Sequence, residues 1–409
     1  MNIFSFASKY RKLVLFGFGF TFFSNFGQSF FISLFVPFFL IEFSISNATF
    51  GTLYSTATLG SAFLLAWIGP KIDIYPIKTF TFFVFLGLLV SAFLLSVTPW
   101  PWLFFLSLLG LRLFGQGLCS LSSHTVMGRY FLTLRGRALS LSSLGYTLGE
   151  AILPITMATI IGLYGWRAGW GGVTLFILAA MPLLILYTLR KDPEKLGEQV
   201  PDDKSTKNKN LRGTQWRRSL VLRDYRFYLL LPGVTLSPFL LTGFFLYQLE
   251  MAAWKGWEME IMASAFIMFA LAKSSFALIT GPMVDRFKAC RLFPFFLIPF
   301  LTAMGVLLVI YHPVAAFIYY FLIGISEGFA ANIKTAIYAE LYGTANLGSI
   351  RSMMSMFMVM STAVSPILFG TLIDGGISFG TIIYGSIFLI LLVMIAGSFI
   401  FREAQNTIS

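Results

Sequence analysis

Residues Gly69-Pro70-Lys71-Ile72-Asp73-Ile74-Tyr75-Pro76-Ile77-Lys78 form a small polar island between two long apolar runs. The island has an echo 212 residues later, Gly281-Pro282-Met283-Val284-Asp285-Arg286-Phe287-Lys288. Gly, Pro and Asp recur at the same spacing, and each copy ends in a basic residue. One such match carries little weight. Two copies, each between apolar runs of membrane length, imply a chain built twice. At the same offset Pro154 matches Pro366, Ser143 matches Ser355, and Gly149 matches the small Ser361.

The runs around these islands set the class. Of 409 residues, 57% are hydrophobic and 11% charged, against about 25% charged in an ordinary soluble domain. Stretches of about 20 apolar residues recur, and each can cross a ~30 Å hydrocarbon layer as a helix. Twelve spans are predicted, at 13–41, 48–69, 78–97, 101–125, 137–163, 167–189, 226–249, 260–281, 292–311, 313–337, 350–373 and 379–401. The expected fold is an all-α membrane protein of twelve transmembrane helices in two six-helix repeats. Residues 1–189 form the first half and 226–409 the second. The hydrophilic stretch 190–225 is a linker between them.

Charge orients the chain. With the N-terminus inside, 24 of the 29 Lys and Arg residues fall on the inner side and only Arg167 and Lys255 on the outer. That is the positive-inside pattern. It places both termini in the cytoplasm and the protein in an inner or plasma membrane. It also explains the net charge of +12 without nucleic acid. The basic N-terminus before the run from Leu13 resembles a secretory signal. The run is too long for one, and it reads as a retained span. Cys119 and Cys290 fall in different halves and give no disulfide framework or metal spacing. Neither His124 nor His312 has a ligand-like partner nearby in the sequence. No cofactor or metal is expected.

These motifs resemble the major facilitator superfamily of secondary transporters over essentially the whole chain. The superfamily's loop 2–3 signature runs Gly-x-x-x-Asp-x-x-Gly-x-basic. Gly69, Asp73 and Lys78 match it, with Pro76 at the second Gly. In the echo Gly281, Asp285 and Arg286 match, and Lys288 stands at the second Gly. Span 4 carries Arg112-Leu-Phe-Gly-Gln-Gly117, and span 5 carries Gly145-x-x-x-Gly149 and Pro154 after Arg135-Gly-Arg137. With Glu340-Leu-Tyr-Gly343 and Gly348-x-x-Arg351, these are similar to the monocarboxylate-transporter and oxalate/formate-exchanger branch. One departure matters: where carboxylate carriers of that branch resemble one another in a span 8 Arg, this chain has Ala277. Its span 8 cation is Lys273, one turn deeper. The resemblance implies alternating access between the halves, with spans 1, 4, 7 and 10 lining a cavity. It also implies a cytoplasmic gate made by Gly69, Asp73, Lys78, Arg135 and Arg137, and by Gly281, Asp285, Arg286 and Arg351. Lys78, Arg135 and Arg137 are the partners expected for Asp73.

The sharpest signal is charge at membrane depth. At 1.5 Å per residue, Arg112 lies about 16 Å into span 4, Lys273 about 18 Å into span 8, Glu150 about 20 Å into span 5 and Glu327 about 21 Å into span 10. A charge facing lipid there costs at least about 2.5–3.5 kcal/mol, so each must pair or line water. Signs balance within each half, Arg112 with Glu150 and Lys273 with Glu327. One reading is static buried pairs that set helix packing. The other is an anion site, with Arg112 and Lys273 gripping the substrate and Glu150 and Glu327 holding the cations or taking a proton. Asn25 and Gln28 in span 1 and Tyr247 and Gln248 in span 7 offer hydrogen bonds to substrate, or between helices. Gly145 and Gly149 let span 5 approach a neighbour closely, with Pro154 and its counterpart Pro366 further along. Lys334, about 31 Å into span 10, is expected to snorkel to the inner surface.

The sequence therefore reads as a monomeric secondary transporter in a lipid bilayer. Its expected cargo is a small organic anion, in particular a carboxylate, moved with a proton or by exchange. The alternative is proton-driven efflux of a drug-like or siderophore-like metabolite. No phosphate-binding loop, soluble nucleotide domain, Ser-His pair or metal cluster points to an ATP-driven pump or an enzyme.

Overall fold

The structure is a computed structural model that describes residues 3–131, 134–190, 218–343 and 347–406. Among the described residues the chain is helical and groups into two compact units. One takes residues 3–45 and 53–190, the other 46–52 and 218–406. Of the predicted linker 190–225, residues 191–217 lie outside the described residues.

In the first unit, α1 (Arg11–Gly27) and α2 (Ser29–Glu42) meet at a 47° bend. Gln28 makes the bend: its backbone is extended, φ −83° and ψ 152°. Together they form the first predicted span. Then come α3 (Asn47–Ile68), whose first turn groups with the second unit, α4 (Ile77–Val97), α5 (Pro101–Tyr130), α6 (Arg135–Tyr164) and α7 (Trp166–Thr188). Pro101 opens α5 at a position where its missing N–H costs nothing. Gly165, at φ +81°, reverses the chain between α6 and α7.

The second unit contains α8 (Tyr225–Leu246), α9 (Gln248–Lys255), α10 (Met259–Phe287), α11 (Ile298–Val309), α12 (Val314–Tyr342), α13 (Leu347–Asp374) and α14 (Phe379–Asn406). Among the described residues, nine helices are long and apolar enough to cross a membrane, ten with the bent α1–α2 pair. The other two predicted spans differ for visible reasons. Ser, Thr and Gly dilute the apolar character of α3. Pro294 and Pro299 leave only 12 helical residues in α11.

Close backbone approach holds the helices. A Cβ on Gly145 would overlap the Phe18 carbonyl of α1, and one on Gly149 would overlap Asn25. In the second unit Gly324 and Gly328 of α12 press on the α10 backbone, where an added Cβ would lie 2.6 Å from the Phe269 oxygen and 2.7 Å from the Lys273 oxygen. Small residues four apart permit such contact.

The two Gly-Pro-x-x-Asp copies fold differently. In the first, α3 stops at Ile68 and Gly69–Asp73 make a tight 3₁₀ turn. In the second, α10 runs through Gly281 and Pro282 to Phe287. The chain then turns at Lys288, a non-glycine residue at φ +66°. The superfamily signature places its second Gly at that position, and the backbone shows why.

Candidate functional site

In the first unit the site is built on a local fault in α5. Residues Leu111–Cys119 form a π-helical stretch, a widened turn often found where helices carry function. Gly27, at the end of α1, lies against it. A Cβ on Gly27 would overlap the Leu111 carbonyl, and one on Gly115 would lie 2.9 Å from the Gly27 nitrogen. This contact brings the Gly27 carbonyl to Arg112, whose Nη1 donates to it at 3.0 Å. Arg112 Nε donates to Thr58 Oγ1 of α3 at 3.1 Å, and the guanidinium lies 5.0 Å from the centre of the Tyr54 ring. Tyr54 shares a 2.8 Å hydrogen bond with Ser29. Arg112 is 4% exposed.

The expected Arg112–Glu150 ion pair is not formed. Arg112 is held by neutral oxygens, because the π-helical turn directs it to the α1 break and α3, while Glu150 is buried on α6. The Asn25 amide nitrogen donates to the carbonyls of Phe22 (3.0 Å), Gly145 (3.3 Å) and Thr21 (3.4 Å), while its Oδ1 is buried without a hydrogen bond among the described residues. Gln28 donates to Ser24 at 3.4 Å, and Ser24 shares a 2.9 Å bond with Ser120 of α5. At the unit's charged end, Asp73 pairs with Arg129, the last basic residue of α5. Lys78 and Arg137 are exposed there without that role, and the Arg135 side chain lies outside the described residues.

In the second unit Glu327 of α12 accepts a hydrogen bond from Ser237 of α8. The Lys273 ammonium lies 5.2 Å from the centre of the Phe269 ring on its own helix. No Lys273–Glu327 ion pair occurs among the described residues. The α10–α12 contact through Gly324 and Gly328 joins the backbones, and Glu327 faces α8 instead. Lys334, expected at the surface, is 8% exposed, its ammonium 5.4 Å from the Phe296 ring centre.

Tyr247 and Gln248 both make hydrogen bonds inside this unit. Tyr247 donates to the carbonyls of Asn47 and Pro366, each at 2.9 Å, and Gln248 accepts from Tyr320. Asp374 accepts from the backbone N–H groups of Asn47 (3.1 Å) and Ala48 (2.7 Å), capping the first turn of α3. Burial and then the Asp374 charge hold the Glu250 carboxyl above its usual range. The Asp285 side chain lies outside the described residues. Gly281 meets nothing a Cβ would strike, and Arg286 and Arg351 are exposed.

A family model described as Major Facilitator Superfamily matches residues 18–257. The chain belongs to the major facilitator superfamily. It is a multi-pass membrane transporter. Solved superfamily structures share its fold at low identity. A bacterial homologue of the human lysosomal transporter Spinster, inward-facing and unoccupied, has a TM-score of 0.70 at 14% identity, covering 97% of each chain. The peptide transporter POT, a mutant in complex with alafosfalin, gives 0.71 at 15% over 95% of each chain. The nucleoside transporter NupG gives 0.68 at 14% over 98% of this chain and all of that one. No curated protein matches.

Sequence reasoning missed Gly27, Tyr54, Thr58, Arg129 and Ser237. Gly27 had a signal: the polar Asn25-Phe-Gly-Gln28 interrupts an apolar run where a helix must break. Gly324-x-x-x-Gly328 around Glu327 was equally readable. Thr58 and Ser237 had none, since one hydroxyl in an apolar helix resembles any other.

Proposed function

We propose that this superfamily member is a secondary transporter of a small organic anion, in particular a carboxylate, moved by alternating access with a proton or in exchange. Its place would be a cell's inner or plasma membrane, with both termini cytoplasmic. One observation carries the reading: Arg112, buried at membrane depth, is held by a carbonyl, a hydroxyl and an aromatic face. Its hydrogen bonds to Thr58 and to the Gly27 carbonyl go to neutral acceptors. A guanidinium so placed is not matched by a carboxylate in those bonds and has further N–H donors to offer an anionic guest. Lys273 is assigned the matching role in the second unit, and Glu150 and Glu327 the carriage of a proton.

Uptake into proteoliposomes of labelled acetate, lactate, oxalate and succinate, with and without a pH gradient, tests this. Saturable uptake of at least one acid, lost in Arg112→Gln, is expected. Uptake confined to neutral or cationic drug-like compounds would replace this reading with the efflux alternative.

A further inference from the structure

Four residues at four-residue spacing mark one face of α5: Arg112, Gln116, Ser120 and His124. At 1.5 Å per residue His124 lies about 18 Å from Arg112 along the helix, toward the end that carries Arg129. Its ring is exposed and lies 6.2 Å, centre to centre, from that of Tyr146 on α6. The Tyr146 phenol faces the hydroxyls of Ser24 and Ser120, which bond to each other at 2.9 Å. Glu150, 7% exposed, stands four residues further along α6 on the same face as Tyr146. An accessible imidazole, a phenol and a buried carboxyl therefore follow one another into the unit, in a protein with few ionisable groups at membrane depth.

We propose that His124 and Tyr146 form the proton entry of the first unit, passing a proton between water at the imidazole and the Glu150 carboxylate. This rests on the anion-carrier reading and names its coupling ion. The imidazole takes a proton from water and becomes imidazolium. The Tyr146 oxygen accepts that proton as its own hydroxyl proton goes to Glu150. Imidazole returns neutral, the carboxylate becomes a carboxylic acid, and no electron moves. The Ser24–Ser120 pair, steadied by Gln28, sets the phenol's position. Imidazole suits the entry because one ring nitrogen can accept a proton while the other donates one.

The surrounding charges are few. On α5 they are Arg112, Arg129 and the buried thiol of Cys119. On α6 they are Arg137, exposed at its first turn beside Arg135, then Tyr146 and Glu150, with Tyr164 at its other end. The titratable residues of α1 sit in its first turn, at the same end as Arg129, where Lys12 turns to Tyr187 at 5.4 Å and Arg11 is exposed. Tyr10 is engaged with Phe131, and Lys9, in the short helix before α1, lies over Tyr10.

Two arms test the proposal on the full chain. In proteoliposomes, His124→Gln and Tyr146→Phe should cut pH-gradient-driven accumulation of the transported acid by about tenfold or more. Counterflow exchange at equal pH, which needs no net proton movement, should continue. The second arm needs no substrate. Infrared difference spectra between acid and alkaline pH should show a protonated carboxyl band that Glu150→Gln removes. Its midpoint should shift in His124→Gln and Tyr146→Phe. Unchanged accumulation, or a Glu150 midpoint that ignores both substitutions, overturns the proposal. If no acid is carried by the unmodified protein, the anion reading falls, and the infrared arm still decides the proton entry.

Discussion

Arg112 in the first unit and Lys273 in the second are each the cation set deep in a long apolar helix of its half, at positions the repeat does not equate, since the 212-residue offset takes Arg112 to Gly324. Their surroundings differ. Arg112 sits on a widened π-helical turn, pinned by the Gly27 carbonyl and Thr58, with backbone pressed on backbone at Gly27 and Gly115. Lys273 lies on a regular helix beside a Phe ring, half-buried. The same contrast recurs at the repeated islands, where Gly69 sits in a tight turn and Gly281 inside a continuous helix. Duplication preserved which residues recur and not the local geometry that gives them work. The first unit fixes its cation with two hydrogen bonds to neighbouring helices, and the second sets its cation against a ring of its own helix.

The largest test of that asymmetry is transport by paired substitutions. Arg112→Gln should lower uptake about a hundredfold, the scale of losing one partner of a buried charged contact, and Arg112→Lys should not restore it, because a point charge lacks the planar fork. Lys273→Arg should keep most activity. Equal loss from the two Arg/Lys swaps would break the comparison. A smaller effect is expected in packing: Gly149→Leu should destabilise detergent-solubilised protein by about 1–3 kcal/mol through overpacking on Asn25, read as a lower melting temperature. Gly281→Leu, with open space around it, should leave the midpoint nearly unchanged.

Lys288 offers a gain. Its left-handed backbone costs on the order of 1 kcal/mol, so Lys288→Gly should raise the melting temperature slightly, while Pro76→Gly in the first copy, at φ −54°, should not. The smallest effect belongs to Asp73→Asn. The Asp73–Arg129 pair is exposed on both sides, and its loss should change stability by less than about 1 kcal/mol.

Fold class was legible because it rests on quantities that sum along the chain: apolar run length, charge asymmetry and a repeat at a fixed offset. That Arg112, Glu150, Lys273 and Glu327 lie within long apolar helices was legible for the same reason. Their partners were not. Pairing by sign alone joined Arg112 to Glu150 and Lys273 to Glu327, whereas side-chain direction depends on helix phase, and the π-helical stretch shifts that phase within α5. Asp73 found Arg129 because the turn at Gly69–Asp73 brings it to the end of α5 and not to the residues nearest in sequence. Pro294 and Pro299 foretold the short α11, but length alone concealed it.

The central claim is that the first unit binds an anionic group at Arg112. Thermal shift of the purified protein decides it most directly, comparing a transported carboxylate with its neutral amide. The unmodified protein should be stabilised by the acid and not by the amide, and Arg112→Gln should lose that difference while keeping its own unfolding transition. Equal stabilisation by acid and amide, or an acid response that survives in Arg112→Gln, would contradict it.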